Sequence, residues 1–220
     1  MSADLTHVDT WLFDLDNTLY PVESGFMKQA EARMTQFVAK TTGLPMDEAY
    51  ELQKTYFRDY GLTLHGLMEH HGVDPDEYHA IFHDISLDAL AHDTDLLAAL
   101  QRLPGRRLIF TNADDRHAER VLERLGLSAL FDDVFHIGSF GFLPKPDPAA
   151  FDRMVEAHGM APAATAFFED SERNLEPAAG LGMTTVLVGA HAQDSHASFV
   201  HHRTDKLAPF LATARLKEAA

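Results

Sequence analysis

Apolar positions along this chain fall into two rhythms. The first run, Trp11-Leu12-Phe13, stops abruptly at the polar stretch Asp14-Leu15-Asp16-Asn17-Thr18. A short apolar run bounded by a polar loop predicts a strand buried on both faces. Between Val22 and Asp93 the spacing changes. Phe26, Met27, Ala30, Met34, Phe37 and Val38 recur at helical intervals, and Gly43 follows as a stop. Pro45 precedes a second helical stretch from Met46 to Tyr60. Leu64, Leu67 and Met68 predict a third that ends at Gly72. Asp74-Pro75 opens a fourth through Tyr78, Ile81 and Phe82. No strand pattern interrupts them, so this part reads as all-helical.

Beyond Asp93 the rhythm alternates. Helices are predicted over 96–103, 116–125, 148–158 and 175–181, and strands over 108–110, 134–137, 166–168 and 184–188, the last of the series. Strands alternating with helices imply an α/β fold, a doubly wound parallel sheet with helices on both faces. The expected division is a core of residues 1–20 and 94–220 with a small helical domain, 21–93, inserted after the first strand. In such sheets ligands bind beyond the carboxyl ends of the strands. Three strands end in polar residues there: Asp14/Asp16, Thr111/Asn112 and Glu169/Asp170. The inserted helices are expected to cover that edge as a lid.

Composition narrows the possibilities. The chain has 220 residues, 45% hydrophobic and 24% charged, enough for one core domain and a smaller appendage. Its formal net charge of −16, with no basic run, disfavours nucleic-acid polymers and anionic membrane surfaces. A small phosphorylated molecule remains compatible, because a bound cation and one Lys can reverse the sign inside a pocket. There is no Cys, which removes disulfide and thiolate chemistry. The first ten residues carry no apolar signal core, and no apolar run approaches the ~20 residues of a membrane span. The expected location is cytoplasmic. Oligomeric state is not legible.

Asp14 and Asp16 lie two apart, so in extended backbone their side chains share a side. Two crowded carboxylates repel unless a cation lies between them or one is protonated. That suits a hard divalent ion, and a division into nucleophile and acid/base. Taken alone, such a pair is more often a solvated acidic loop; its place directly after a buried strand is what raises it. Thr111 and Asn112 could hold phosphate oxygens, or simply form a cap or turn. Lys145, between Pro144 and Pro146, is either a fixed cation or a surface lysine. Glu169 and Asp170 could complete an oxygen cage begun by Asp14, or cap the following helix.

In this order, Asp14-Leu15-Asp16-Asn17-Thr18-Leu19, Thr111-Asn112-Ala113, Lys145-Pro146 and Glu169-Asp170 with Asn174 resemble the four-motif signature of haloacid dehalogenase superfamily hydrolases. The resemblance spans nearly the whole chain. It implies a Mg2+-dependent phosphatase in which Asp14 is the nucleophile, forming an aspartyl-phosphate. Asp16 is the implied acid/base. The resemblance implies that Mg2+ is held by the Asp14 carboxylate, the Asp16 backbone carbonyl and Asp170. It has phosphate held by Thr111, groups around Asn112 and Lys145, with Glu169 and Asn174 in support. Metal-independent dehalogenases of the superfamily lack the second Asp, so Asp16 favours phosphoryl chemistry.

A narrower likeness joins Asp14 to Pro21, DLDNTLYP, with Tyr56 to Leu67, YFRDYGLTLHGL. These resemble the pyrimidine 5′-nucleotidase branch and imply a pyrimidine nucleoside 5′-monophosphate as substrate. Glu169 departs from the Asp often found there, and His65 from an expected Arg. Tyr56, Arg58 and Tyr60 are the candidate substrate contacts, since an aromatic ring can stack on a base. The two tyrosines, at i and i+4, equally fit the packing of a helix. Alternatives in the same chemistry are a phosphatase for phosphoglycolate or a sugar phosphate, or a β-phosphoglucomutase-like phosphomutase. A regulator on a dead phosphatase scaffold is disfavoured, because every expected catalytic residue is present. The pairs His70-His71 and His201-His202 lack the spacing of a zinc site and read as surface.

Overall fold

A computed structural model describes residues 2–217. By internal packing the chain divides into two compact units: the residues up to Glu23 together with Leu90 onward, and Ser24–Ala89.

The larger unit is built on a parallel sheet. Among the described residues it contains β1 (Thr10–Phe13), β2 (Arg106–Phe110), β3 (Asp133–Phe135), β4 (Thr165–Glu169), β5 (Thr184–Val188) and β6 (His202–Thr204), in the order β3-β2-β1-β4-β5-β6. The first strand is therefore central. It is buried at every position, which is why it reads as a continuous apolar run rather than an alternation. Phe13 pairs with Ile109 on one side and Phe168 on the other, so β1, β2 and β4 finish nearly level. The ring of Phe13 stacks on that of Phe168 at 4.7 Å between centroids. Trp11 is fully buried and its Nε1–H donates to the Pro104 carbonyl at 2.6 Å.

Helices of this unit follow their caps. Asp93 accepts from the backbone N–H of Asp95 and Leu96 at the start of the helix Thr94–Gln101, and Asp114 accepts from that of His117 before Asp115–Leu125. Asp147 does the same for Pro148–His158, with Pro148 in the first turn. The helix Glu172–Gly180 follows β4.

Two expectations need correction. The strand expected over 134–137 ends at Phe135. Thr111 N–H takes the Phe135 carbonyl, Ile137 N–H turns to Ala113, and a 3-10 turn runs over Ile137–Phe140. Also, β5 is not the last strand. The sheet continues into the half-exposed β6, and the helix Leu207–Thr213 packs against Thr94–Gln101. A three-residue edge strand reading His-Arg-Thr carries no apolar signature.

The smaller unit contains α1 (Phe26–Thr42), α2 (Met46–Tyr60), α3 (Thr63–His71) and α4 (Pro75–His83). Gly43 closes α1 in the left-handed conformation, its N–H on Ala39 O, and Gly72 closes α3 likewise. Phe37, Val38, Ala49, Tyr56, Leu64, Leu67 and Tyr78 form its core. Gln53, buried among them, accepts from Thr35 Oγ1 at 2.6 Å. A buried amide is tolerated there because it is bonded.

Candidate active site

The first turn after β1 brings Asp14 to the carboxyl edge of the sheet. Its N–H is held by Phe168 O at 2.9 Å. Asn17 adopts φ +62°, a left-handed conformation that Asn tolerates better than most residues. The tightened turn places Thr18 so that its hydroxyl donates to Asp14 Oδ2 at 3.0 Å.

Lys145 is almost fully buried, 1% exposed, and its ammonium is saturated. Nζ donates to Asp14 Oδ1, Glu169 Oε2 and Phe110 O, each at 2.7 Å. Three donors meet three acceptors, which is what a buried ammonium requires. The same Nζ lies 5.1 Å and 5.4 Å from the ring centres of Phe110 and Phe167. The Lys145–Pro146 peptide is cis. Asn112 fixes the lysine backbone from both sides: Oδ1 accepts from Lys145 N–H at 2.8 Å, and Nδ2 donates to Lys145 O at 3.2 Å. The Asn112 side chain is thus engaged by the lysine loop. Thr111, also buried, follows β2, and its Oγ1 accepts from Ala113 N–H at 3.0 Å.

Glu169 ends β4 with Oε1 accepting from Ser171 N–H at 3.1 Å. Asp170 follows it. Asp14, Glu169 and Asp170 each present a carboxylate oxygen within 4.8 Å of the other two. Three acids facing one ammonium leave an excess of negative charge. Burial, and then the Glu169 charge, push the Asp14 carboxyl up to about 7 against the pull of Lys145. Burial, Glu169 and Asp14 push Asp170 up to about 9. Burial opposes the Lys145 charge, but Asp14 and Glu169 outweigh it and hold the ammonium above its usual range.

These residues fit a hard divalent cation. All the donors are oxygens, the carboxylates are crowded enough to favour protonation in its place, and Asn174 supplies a further one. Asn174 is buried in the first turn of the helix after β4, and its Oδ1 has no hydrogen-bond partner. A buried acceptor of this kind is satisfied by a cation's bound water.

Asp16 stands apart from this cluster. Its Oδ1 accepts from Tyr20 OH at 2.6 Å and from His117 Nε2 at 2.9 Å. An ionised carboxylate only accepts, so the imidazole donates. Burial works to raise the Asp16 carboxyl, but His117 and then Tyr20 outweigh it and hold it below the usual range. Burial likewise opposes the His117 charge, and Asp16 outweighs it, raising the imidazole.

The structure therefore brings together Asp14, Lys145, Glu169 and Asp170, with Thr111, Asn112 and Asn174 in the same unit. Asp16 is anchored beside them. Sequence reasoning missed His117 and Tyr20. The available signal was positional: His117 lies in the first turn of the helix that follows a strand ending at the site, and Tyr20 lies four residues beyond Asp16.

Tyr56, Arg58 and Tyr60 lie in α2 of the smaller unit. Tyr56 is buried in that unit's core, stacks on His70 at 5.5 Å and bonds His71 Nε2 through its hydroxyl at 2.9 Å. Tyr60 OH meets His70 Nε2 at 2.6 Å. Arg58 is exposed and pairs with the adjacent Asp59. The two tyrosines act as packing residues here, and the His70-His71 pair is their hydrogen-bonding complement.

The family described as haloacid dehalogenase-like hydrolase matches residues 8–182. Phosphate metabolism protein 8 of Saccharomyces cerevisiae is 31% identical over 193 residues, covering 80% of this chain; the chain spans 60% of that protein's length. The GMP/IMP nucleotidase YrfG of Escherichia coli is 28% identical over 189 residues, 80% of each chain. The crystal structure of a HAD phosphatase from Thermococcus onnurineus matches with a TM-score of 0.63 at 19% identity, covering 98% of this chain and 100% of that one.

Proposed function

Because this chain belongs to the haloacid dehalogenase-like hydrolases, we propose that it hydrolyses small phosphate monoesters through Asp14, with pyrimidine nucleoside 5′-monophosphates as the preferred class. The observation that carries the reading is the separation of the two aspartates. Asp14 sits in the cluster of acids with Lys145, while Asp16, two residues on, is tied to other donors. Two carboxylates in distinct environments take distinct roles.

In the first half-reaction an Asp14 oxygen attacks phosphorus. The bond to the ester oxygen breaks, and as the alcohol leaves that oxygen takes a proton that Asp16, ionised at rest, has first taken up from solvent. In the second, water attacks the aspartyl-phosphate and gives its proton to Asp16, and the Asp14–phosphorus bond breaks to release phosphate. Lys145 holds Asp14 in place and offsets negative charge at the reacting centre. Asp14, Asp170 and the Asp16 carbonyl would hold Mg2+, which would supply charge neutralisation for the phosphoryl group. Glu169 fixes Lys145, and Asn112 fixes the loop that carries it.

The nucleotide reading rests on the DLDNTLYP and YFRDYGLTLHGL likeness, and a relative whose name specifies GMP and IMP supports nucleotides as a class. The test is phosphate release from uridine, cytidine, thymidine, adenosine and guanosine monophosphates, phosphoglycolate and hexose phosphates, with and without Mg2+. A kcat/KM preference for the pyrimidine nucleotides is expected. Metal-dependent release from another ester alone keeps the chemistry and discards the nucleotide. No release from any ester overturns the reading.

A further inference from the structure

The Asp16 carboxylate is held by one oxygen only. Tyr20 OH and His117 Nε2 both donate to Oδ1, at 2.6 Å and 2.9 Å, and Oδ2 takes part in neither bond. The two donors reach Asp16 from unrelated parts of the chain. Tyr20 comes from the same loop, four residues beyond Asp16, and its hydroxyl donates to the carboxylate. His117 comes from the second crossover, 101 residues away in sequence. Its position is itself fixed, because its N–H caps onto Asp114 Oδ1 at 2.8 Å. The imidazole is nearly enclosed, its side chain 6% exposed, whereas that of Asp16 retains 20%.

Two donors converging on one oxygen stop the carboxylate from turning and make its oxygens inequivalent. A proton on Oδ1 would displace a donor, so the proton in transit belongs on Oδ2. We propose that His117 and Tyr20 are positioning residues for proton transfer: they anchor Asp16 by Oδ1 and thereby assign Oδ2 to protonate the leaving oxygen. This rests on the phosphatase reading above and goes beyond it, since neither residue has a part in the four motifs. The proton balance is that of the Asp16 step: Oδ2–H breaks as the alcohol O–H forms, and Oδ2 recovers a proton from the attacking water.

A positioning role of this kind depends on the leaving group. An alcohol needs a proton to depart, whereas 2,4-dinitrophenolate leaves without one. The experiment measures kcat/KM, which reports the steps through departure of the leaving group, for 2,4-dinitrophenyl, 4-nitrophenyl, phenyl and methyl phosphate, using wild type, His117→Ala, His117→Gln and Tyr20→Phe with Mg2+. For His117→Ala a loss of about 10- to 100-fold is expected with phenyl and methyl phosphate, and less than about threefold with the dinitrophenyl ester. Tyr20→Phe, which removes only the hydroxyl, is expected to show the same trend across the series with a smaller loss at each poor leaving group. His117→Gln, which keeps an N–H donor, is expected to recover part of the loss. Inhibition by inorganic phosphate should not change. An equal loss across the series, or none, in both His117→Ala and Tyr20→Phe overturns the positioning role. If wild type hydrolyses none of these esters, it is the phosphatase reading that fails.

Discussion

One ammonium serves three buried acceptors in this protein, so Lys145 cannot be removed quietly. Lys145→Ala leaves Asp14 and Glu169 facing each other with no counter-charge. Breaking a buried ion pair from one side costs roughly 3–5 kcal/mol. The loss should be larger at pH 8 than at pH 5, where the orphaned acids can protonate; urea denaturation at the two values checks this. Asp14→Asn is expected to keep the fold by circular dichroism and to lower phosphate release by on the order of 10^3-fold or more. Turnover surviving that change would exclude Asp14 as the nucleophile. At this scale the acids of the candidate site were legible because they follow buried strands, whereas Lys145, in a loop ten residues past the nearest strand, stood out only by its place in the order of the four motifs. His117 and Tyr20 were not legible, since a helix-turn histidine and a loop tyrosine are common and only folding brings them to one oxygen. Nor was the use of Asn112 to clamp a distant backbone.

Secondary-structure elements differ in how much of themselves they write into the sequence. β1, β4 and β5 are buried on both faces and appear as apolar runs, while β6 lies at the sheet edge with no buried residue and leaves no trace. The four helices of the smaller unit were visible from their periodicity and their glycine or proline punctuation. What periodicity could not give was how closely they pack. Gly66 in α3 lies against the Tyr56 ring of α2, and an added Cβ would overlap that ring. Gly66→Ala is therefore expected to destabilise the small unit by about 1–3 kcal/mol, although alanine is the better helix former. Thermal unfolding of the variant tests this; an unchanged or higher midpoint would mean the ring moves aside freely.

The molecule as a whole should respond to pH and metal through its acidic cluster. Asp14, near 7, and Asp170, near 9, both lie above their unfolded value of 3.8. The folded state therefore binds more protons than the unfolded chain between about pH 4 and pH 9, and stability falls as pH rises through that window. Metal-free protein is expected to lose melting temperature steadily from pH 5 to pH 9. Millimolar Mg2+ should raise the midpoint, most strongly at the alkaline end, because the cation takes the place of the protons. Differential scanning fluorimetry across pH, with Mg2+ or chelator, checks both signs. A midpoint that climbs with pH in chelator would contradict the charge balance described here.

The central position of β1 also sets an order of assembly. A strand made before the rest of its sheet waits through the whole helical insertion for its first neighbour, β2, and until residue 165 for its second. The smaller unit, which is one continuous segment, can collapse while β1 is still an unpaired edge. Asp14 gains its lysine only when a residue 131 positions later arrives, so closure of the sheet and completion of the reactive centre are late and coincident events. A nascent chain halted before β4 should thus display a folded helical piece and an exposed apolar strand, a natural target for chaperones.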